Sequence, residues 1–250
     1  MITTITHIEQ LNDRDYIFDF DCAEIALGVA PGQFVEVSVS KAYDPFLRRP
    51  FSVYDTDGAT LKLLVRVVGR GTKIMSEWHV GDSTDILGPF GNSFTWNRED
   101  KDLILVGGGV GYAPINFLLN RLAQTDKRIH LLFSPRRESE IIAHLEPDKN
   151  LFVTVAENRT EIGPLLQKII SDMDGATLYA CGPCGMMKLV ADLGAESHSP
   201  AQLSMEAAMG CGFGVCGGCI VPVRDGEDFV YKKVCNDGPI FSGEEILFDE

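Results

Sequence analysis

The sequence predicts an α+β multidomain chain of three parts: an N-terminal antiparallel β-barrel, an α/β unit with a parallel sheet, and a small cysteine-rich C-terminal unit. Three observations carry that prediction. Short β-branched runs separated by turn residues fill residues 1–98, strand-like and helix-like segments alternate over 99–198, and four of the seven cysteines crowd into 199–250. A chain of 250 residues is long for one core, which suits a division over those ranges.

In the first part, FVEVSVS (34–40), LKLLVRVV (61–68) and STDILGPF (83–90) read as strands, with Pro31-Gly32, Asp57-Gly58 and Gly81-Asp82 as turn signals between them. Such strands suggest a barrel or sandwich. One helix is expected at 72–79, TKIMSEWH, with Thr72 as its N-cap. In the second part, DLILVGG, IHLLFSP, LFVTVAE and TLYACGP read as strands. PINFLLNRLAQ, SEIIAHL, PLLQKIISDM and GMMKLVADLGA between and after them read as helices. That alternation implies a parallel sheet with helices on both faces. Residues 195–202, AESHSPAQ, read as a polar linker, and the remainder shows little helical periodicity.

The net charge of −14 sets the surface against nucleic acid and anionic lipid, so neither is an expected partner. No stretch reaches the roughly 20 apolar residues of a membrane helix. MITTITHIEQ lacks the cationic and apolar blocks of a secretory signal, so a cytoplasmic location is expected. In a reducing compartment, seven cysteines do not suggest a disulfide framework.

The tail carries Cys211-x4-Cys216-x2-Cys219-x15-Cys235 in a loop rich in glycine. This is the plant-type spacing of four thiolates around a [2Fe–2S] cluster. Glycine lets such a loop turn sharply and aim backbone N–H groups at sulfur. A structural zinc site would call for paired CxxC knuckles, and only one CxxC exists in the tail. Upstream, Gly107, Gly108, Gly109 and Gly111 lie between a strand and a helix, where dinucleotide phosphates meet backbone N–H groups. Their spacing, G-x-G-x-G-x-x-P, differs from G-x-G-x-x-G, and a tight turn alone also explains it. Arg48-Arg49-Pro50-Phe51-Ser52-Val53-Tyr54 offers a guanidinium for a pyrophosphate and an aromatic ring and hydroxyl for a flavin. An exposed arginine pair leading into an amphipathic strand is the plainer alternative.

Arg49-Pro50-Phe51-Ser52, Gly69-Arg70-Gly71-Thr72, Gly88-Pro89-Phe90-Gly91, the run Gly107–Pro114 and Cys181-Gly182-Pro183 together resemble the ordered signatures of the ferredoxin–NADP reductase superfamily over roughly residues 1–195. The resemblance implies an FAD-binding barrel followed by a pyridine-nucleotide domain. By it, Arg49 would hold the FAD pyrophosphate, and Pro50, Phe51 and Ser52 would lie along the flavin. Leu64, Val65 and Arg66 would line the cofactor, and Gly71 and Thr72 would meet the FAD phosphates. Gly107, Gly108, Gly109 and Gly111 would contact NAD, and Cys181 would be catalytic, beside the path between nicotinamide and flavin. Read from the residues alone, Cys181 is equally a small buried residue at a strand end.

With the cysteine tail and its KVCNDGP ending, the whole chain is similar to the electron-transfer subunits of the NAD-dependent (class 1B) dihydroorotate dehydrogenases. Cys184, after CGP, departs from the polar or acidic residue expected there. The family implies FAD, a [2Fe–2S] cluster held by Cys211, Cys216, Cys219 and Cys235, and NAD as cofactors. It also implies an FMN-containing dihydroorotate dehydrogenase catalytic subunit as partner, in a heterotetramer serving pyrimidine biosynthesis. None of the five histidines pairs with a carboxylate as an evident acid–base couple, so no separate substrate-oxidising site is expected in this chain. Similar module orders occur in reductase subunits of hydrogenases, sulfide dehydrogenases and bifurcating transhydrogenases. A non-catalytic scaffold would not need the four cysteines. Arg136-Arg137 could reach a 2′-phosphate and favour NADP; the resemblance favours NAD.

Overall fold

The computed structural model describes residues 1–40, 42, 44–173 and 175–248, without the side chains of Arg136 and Arg137, so the expectation at that pair lies outside the described residues. Strands β1 (Ile2–Gln10), β2 (Asp15–Asp21), β3 (Phe34–Val37), β4 (Arg49–Asp57), β5 (Thr60–Arg66) and β6 (Ser83–Phe90) close a barrel in the order β1-β2-β5-β4-β3-β6. Every neighbouring pair is antiparallel, and β1 against β6 removes the open edge. Side chains alternate across a strand, so Leu61, Leu63 and Val65 enter the barrel core while Leu64 joins the core on the opposite side, with Lys62 and Arg66 sharing its face. After a short helix α1 (Ala23–Ala26), the only other helix among the described residues of this part is α2 (Arg70–Met75). It begins two residues before the expected helix, and Gly69 is the N-cap. Thr72 instead occupies the third helical position and its hydroxyl turns back to accept the Val68 and Gly69 N–H groups.

Six strands form the central sheet: β7 (Asp102–Gly108), β8 (Arg128–Ser134), β9 (Leu151–Val155), β10 (Thr177–Cys181), β11 (Ala201–Ser204) and β14 (Ile240–Ser242), in the order β14-β11-β10-β7-β8-β9. The five strands from β7 to β11 are parallel, as expected, and β14 adds an antiparallel edge. Leu103 and Leu105 of β7 face α3 (Tyr112–Leu122), whereas Ile104 and Val106 face α4 (Ile162–Asp172) and α5 (Cys184–Glu196). Helix α3 thus lies between sheet and barrel, with Phe117 in the barrel core and Asn116 donating to the Tyr54 carbonyl at 3.1 Å. The helix expected at 139–145 is replaced by 3-10 turns over Arg136–Ile142, broken at Glu138.

The stretch expected to be a linker contains the end of α5 and the start of β11, whose four residues are too few to show a pattern. The expected boundary at 199 falls between α5 and β11, and both β11 and β14 lie in the central sheet. Beyond β11, the chain forms the cysteine loop, a hairpin of β12 (Ile220–Asp225) and β13 (Asp228–Lys233), and then β14. A further core joins Phe34 of the barrel with Cys219, Val234, Cys235 and Phe241 of the tail. Asn92, just past the barrel, clasps this return. Its carboxamide donates to the Ile240 carbonyl and accepts the Ile240 N–H, both at 2.8 Å, while its own N–H donates to the Gly238 carbonyl at 2.7 Å.

Asn92→Ala removes the side-chain half of this clasp and leaves the Ile240 peptide groups to find other partners. At about 1 kcal/mol per hydrogen bond, a loss of roughly 2 kcal/mol is expected. Thermal denaturation followed by circular dichroism should show a Tm lower by about 5 °C.

Candidate functional site

The outward face of β5, the edge of β4 and the first turn of α2 form one wall of a groove of about 310 Å³. Arg49, Pro50, Phe51, Ser52, Leu64, Arg66 and Thr72, all expected at the flavin, line it together. Val65 does not, because the strand's alternation turns its side chain into the barrel core, where it is 1% exposed. Gly71 contributes by lacking a side chain: a Cβ there would stand 2.9 Å from Arg49 Nε. The Arg49 guanidinium therefore lies across the start of α2, where a phosphate would meet both a charge and bare backbone. The donor set fits the pyrophosphate and ring of FAD.

A second groove of about 390 Å³ adjoins it, lined by Gly108, Gly109, Gly111, Ser134, Glu138 and Gly182 among others. Gly109 is in the left-handed region (φ 56°), and a Cβ on it would meet Glu138 Oε2 at 2.7 Å. Ser134, at the end of β8, is 3% exposed, and its Oγ has no hydrogen-bond partner among the described residues. A buried orphan hydroxyl beside a glycine turn fits a nucleotide ligand. Gly107 is not on this groove; it packs beneath, against the Tyr112 ring.

Cys181 is wholly buried at the end of β10 and lines neither groove. Burial, with a smaller contribution from Glu206, holds its thiol well above the usual range, so it stays protonated. Its carbonyl is where a Cβ on Gly111 would collide, at 2.7 Å, so strand end and glycine turn are pressed together.

Arg66 borders both grooves. Its guanidinium bonds both oxygens of the buried Asp15 at 2.6 and 2.8 Å, and reaches Glu138 Oε2 at 2.8 Å. Arg14 takes the other Glu138 oxygen at 3.0 Å. Two arginines and one carboxylate of the barrel thus meet one carboxylate of the nucleotide unit at the seam.

In the tail, each cysteine sulfur accepts a backbone N–H: Cys211 from Cys216, Cys216 from Gly218 and Cys219 from Cys235, all at 3.4 Å, and Cys235 from Gly214 at 3.1 Å. The N–H groups of Cys216, Phe213 and Val215 bring the Cys211 thiol down to about 6. Burial, then the neighbouring Cys219 thiol, pushes Cys235 up to about 12. No three His, Cys, Asp or Glu side chains among the described residues converge on one ion. Cys211 interacts with Cys216, and Cys235 with Cys219 and Cys211, so four thiols gather in one loop, as a [2Fe–2S] cluster requires.

Several groove residues escape sequence reasoning. Met205, Glu206, Ala207 and Met209, between β11 and the cysteine loop, and Pro239, before β14, complete the flavin groove. Glu206 also borders the nucleotide groove, and although the residue is exposed, the protein packed around its carboxyl raises it above the usual range. Only their nearness to the cysteines could have drawn attention to them.

The comparisons with known proteins agree with this geometry. Residues 3–95 match the model of an oxidoreductase FAD-binding domain, and residues 206–247 match an iron–sulfur cluster binding domain of dihydroorotate dehydrogenase B. The protein named dihydroorotate dehydrogenase B (NAD(+)), electron transfer subunit, of Caldanaerobacter subterraneus subsp. tengcongensis is 36% identical over 87% of this chain and 87% of its own length. Its namesake from Bacillus velezensis is 35% identical over 97% of both. The chain belongs to this family. It is an oxidoreductase subunit, with FAD and an iron–sulfur cluster as the family's cofactors and NAD(+) in its name. A solved structure of the NADH-dependent reduced ferredoxin-NADP oxidoreductase, described for flavin-based electron bifurcation, superposes with a TM-score of 0.84 at 26% identity, covering 99% of this chain and 90% of that one. A ferredoxin NADP+ reductase from Neisseria gonorrhoeae with bound FAD and NADP shares the fold (TM-score 0.65, 18% identity, 84% of this chain and 92% of that one). No helix among the described residues is long and apolar enough to cross a membrane.

Burial separates the remaining thiols. In the folded, cluster-loaded protein, iodoacetamide should alkylate the exposed Cys184 and spare Cys22 and Cys181, which are 1% and 0% exposed. Peptide mass mapping before and after denaturation checks this; labelling of Cys181 in the folded state would place its thiol in an open site.

Proposed function

We propose that this chain carries electrons between NAD and an FMN-containing catalytic subunit that oxidises dihydroorotate, with Cys211, Cys216, Cys219 and Cys235 holding a [2Fe–2S] cluster and the barrel groove holding FAD. The observation that carries the proposal is the shared wall. The flavin groove is closed on one side by Val110 and Ala113 of the nucleotide unit and on another by Met205, Ala207, Met209 and Pro239 flanking the cysteine loop. When bound, FAD exchanges electrons singly or in pairs, and so joins a two-electron nicotinamide to a one-electron cluster.

The chain's own residues position and exclude. Arg49, held by the Leu47 and Arg48 carbonyls, fixes the pyrophosphate end against α2. Phe34, Phe90 and Phe213 form a run of rings, 5.8 and 6.5 Å apart, from the groove wall to the cysteine loop. Ser134 and the bare Gly109 receive the nucleotide, and Glu206 stands between the two grooves. Flow from dihydroorotate toward NAD, a heterotetrameric assembly and a place in pyrimidine biosynthesis are implied by the family resemblance and belong to this reading. The likeness to the bifurcating oxidoreductase supports a second reading, a reductase subunit of another complex.

Anaerobic capture of the tagged chain from its own cell extract, with mass spectrometry of what it holds, separates the two. A stoichiometric FMN-containing dihydroorotate dehydrogenase and dihydroorotate-dependent reduction of NAD(+) by the captured complex are expected. Recovery of a different redox subunit overturns the pyrimidine assignment and leaves the flavin and cluster chemistry standing.

Two substitutions test the cofactor assignments. Arg49→Ala should weaken FAD retention by about tenfold or more, the value of a charge-assisted hydrogen bond, read from flavin fluorescence after gel filtration. Cys216→Ala should abolish the cluster's electron paramagnetic resonance signal while NADH reduction of the bound flavin persists.

A further inference from the structure

Glu36 sits where the sequence pattern would put a solvated side chain. In the strand Phe34–Val37 it alternates with Val35 and Val37, which are fully buried in the barrel core, so its carboxyl points outward. Yet Glu36 is only 2% exposed, because the cysteine loop roofs it. Its Oε1 is buried with no hydrogen-bond partner among the described residues. Directly over the carboxyl lies Gly212, in the left-handed region (φ 79°), where any Cβ would overlap the Glu36 carboxylate. Gly212 is flanked by Cys211 and Phe213, so the carboxyl is enclosed beneath the first cysteine of the loop.

Burying a carboxyl with an unsatisfied oxygen destabilises a fold unless something offsets it. Neutral packing would serve β3 better, and the strand's other outward neighbours require no charge. What the position does provide is a carboxyl at short range from the Cys211 side of the loop, shielded from water and fixed by the barrel. Burial pushes it up to about 7 against the pull of Arg48 and Arg49, whose hydrogen bonds go elsewhere: Arg48 to Asp85, Arg49 to the Leu47 and Arg48 carbonyls.

We propose that Glu36 is a positioning residue that sets the reduction potential of the cluster, by holding a carboxyl against the loop at Gly212. When ionised, a buried carboxylate beside an iron–sulfur centre disfavours the added electron, so the native side chain then keeps the potential low. It lies on the strand that also lends Phe34 to the flavin groove, so the same wall aligns the flavin and tunes its one-electron neighbour. The proposal rests on the four-cysteine assignment above.

The test uses the full chain carrying FAD and cluster, titrated electrochemically under paramagnetic resonance, with iron content and visible circular dichroism as controls. At about pH 8.5, where the wild-type carboxyl is ionised, Glu36→Gln keeps shape and removes charge. The cluster's midpoint potential should rise, while the flavin's potential and the FAD content stay at wild-type values. A cluster potential equal to that of the wild type overturns the proposal. Should Glu36→Gln fail to hold a cluster, Glu36→Asp decides: a displaced potential supports the proposal and an unchanged one overturns it. Wild-type protein without iron would instead overturn the cluster assignment, a failure distinct from that of Glu36.

Discussion

The cysteine tail is held against the barrel by the clasp at Asn92. The barrel ends at Phe90, and two residues later one carboxamide grips the backbone just past Cys235 through paired bonds to Ile240. From that point the chain enters the central sheet as β14, alongside β11. The cysteine loop hangs between these two strands, so both ends of it are anchored in the same sheet. Its distance from the flavin groove is therefore a property of rigid elements rather than of a linker. Gly91, in the left-handed region, abuts Pro239, which lines the groove, so the clasp and the groove wall are one piece of packing.

The second constraint is at the opposite seam. Arg66 is bonded to a carboxylate of its own barrel and to one from the nucleotide unit. A partly buried guanidinium with two carboxylates and a fourth charge, Arg14, is specific in geometry, because each broken pair leaves a charge in a poorly solvated place. Helix α3 completes the seam by inserting Phe117 into the barrel core and tying Asn116 to Tyr54. The two grooves face each other because this seam is apolar at its centre and ion-paired at its rim.

The tail shows how the same backbone device serves a different ligand. At α2 and at the Gly109 turn, uncovered N–H groups face a place for phosphate; in the cysteine loop, N–H groups face sulfur. Both uses depend on glycine keeping the approach clear, as at Gly71 and Gly212. The low thiol at Cys211 beside the high one at Cys235 follows from how many N–H groups each sulfur meets and how deeply it is buried.

The sequence by itself determined the barrel, the parallel sheet, the four-cysteine spacing and most of the flavin wall. Those signals are local: period-two patterns, turn residues, and cysteines separated by fixed steps. It could not place Val65 or Gly107, because a residue adjacent to a motif on a strand points the other way. Nor could it find β11 and β14, each too short to carry a pattern, or Glu206 and Pro239, which reach the groove only once those strands are paired. Tertiary structure alone decided that Glu36 is sealed under the cysteine loop, and that Cys181, expected by resemblance beside the nicotinamide–flavin path, is sealed in the core. Burial depends on what folds over a residue from elsewhere in the chain, and that information is not local.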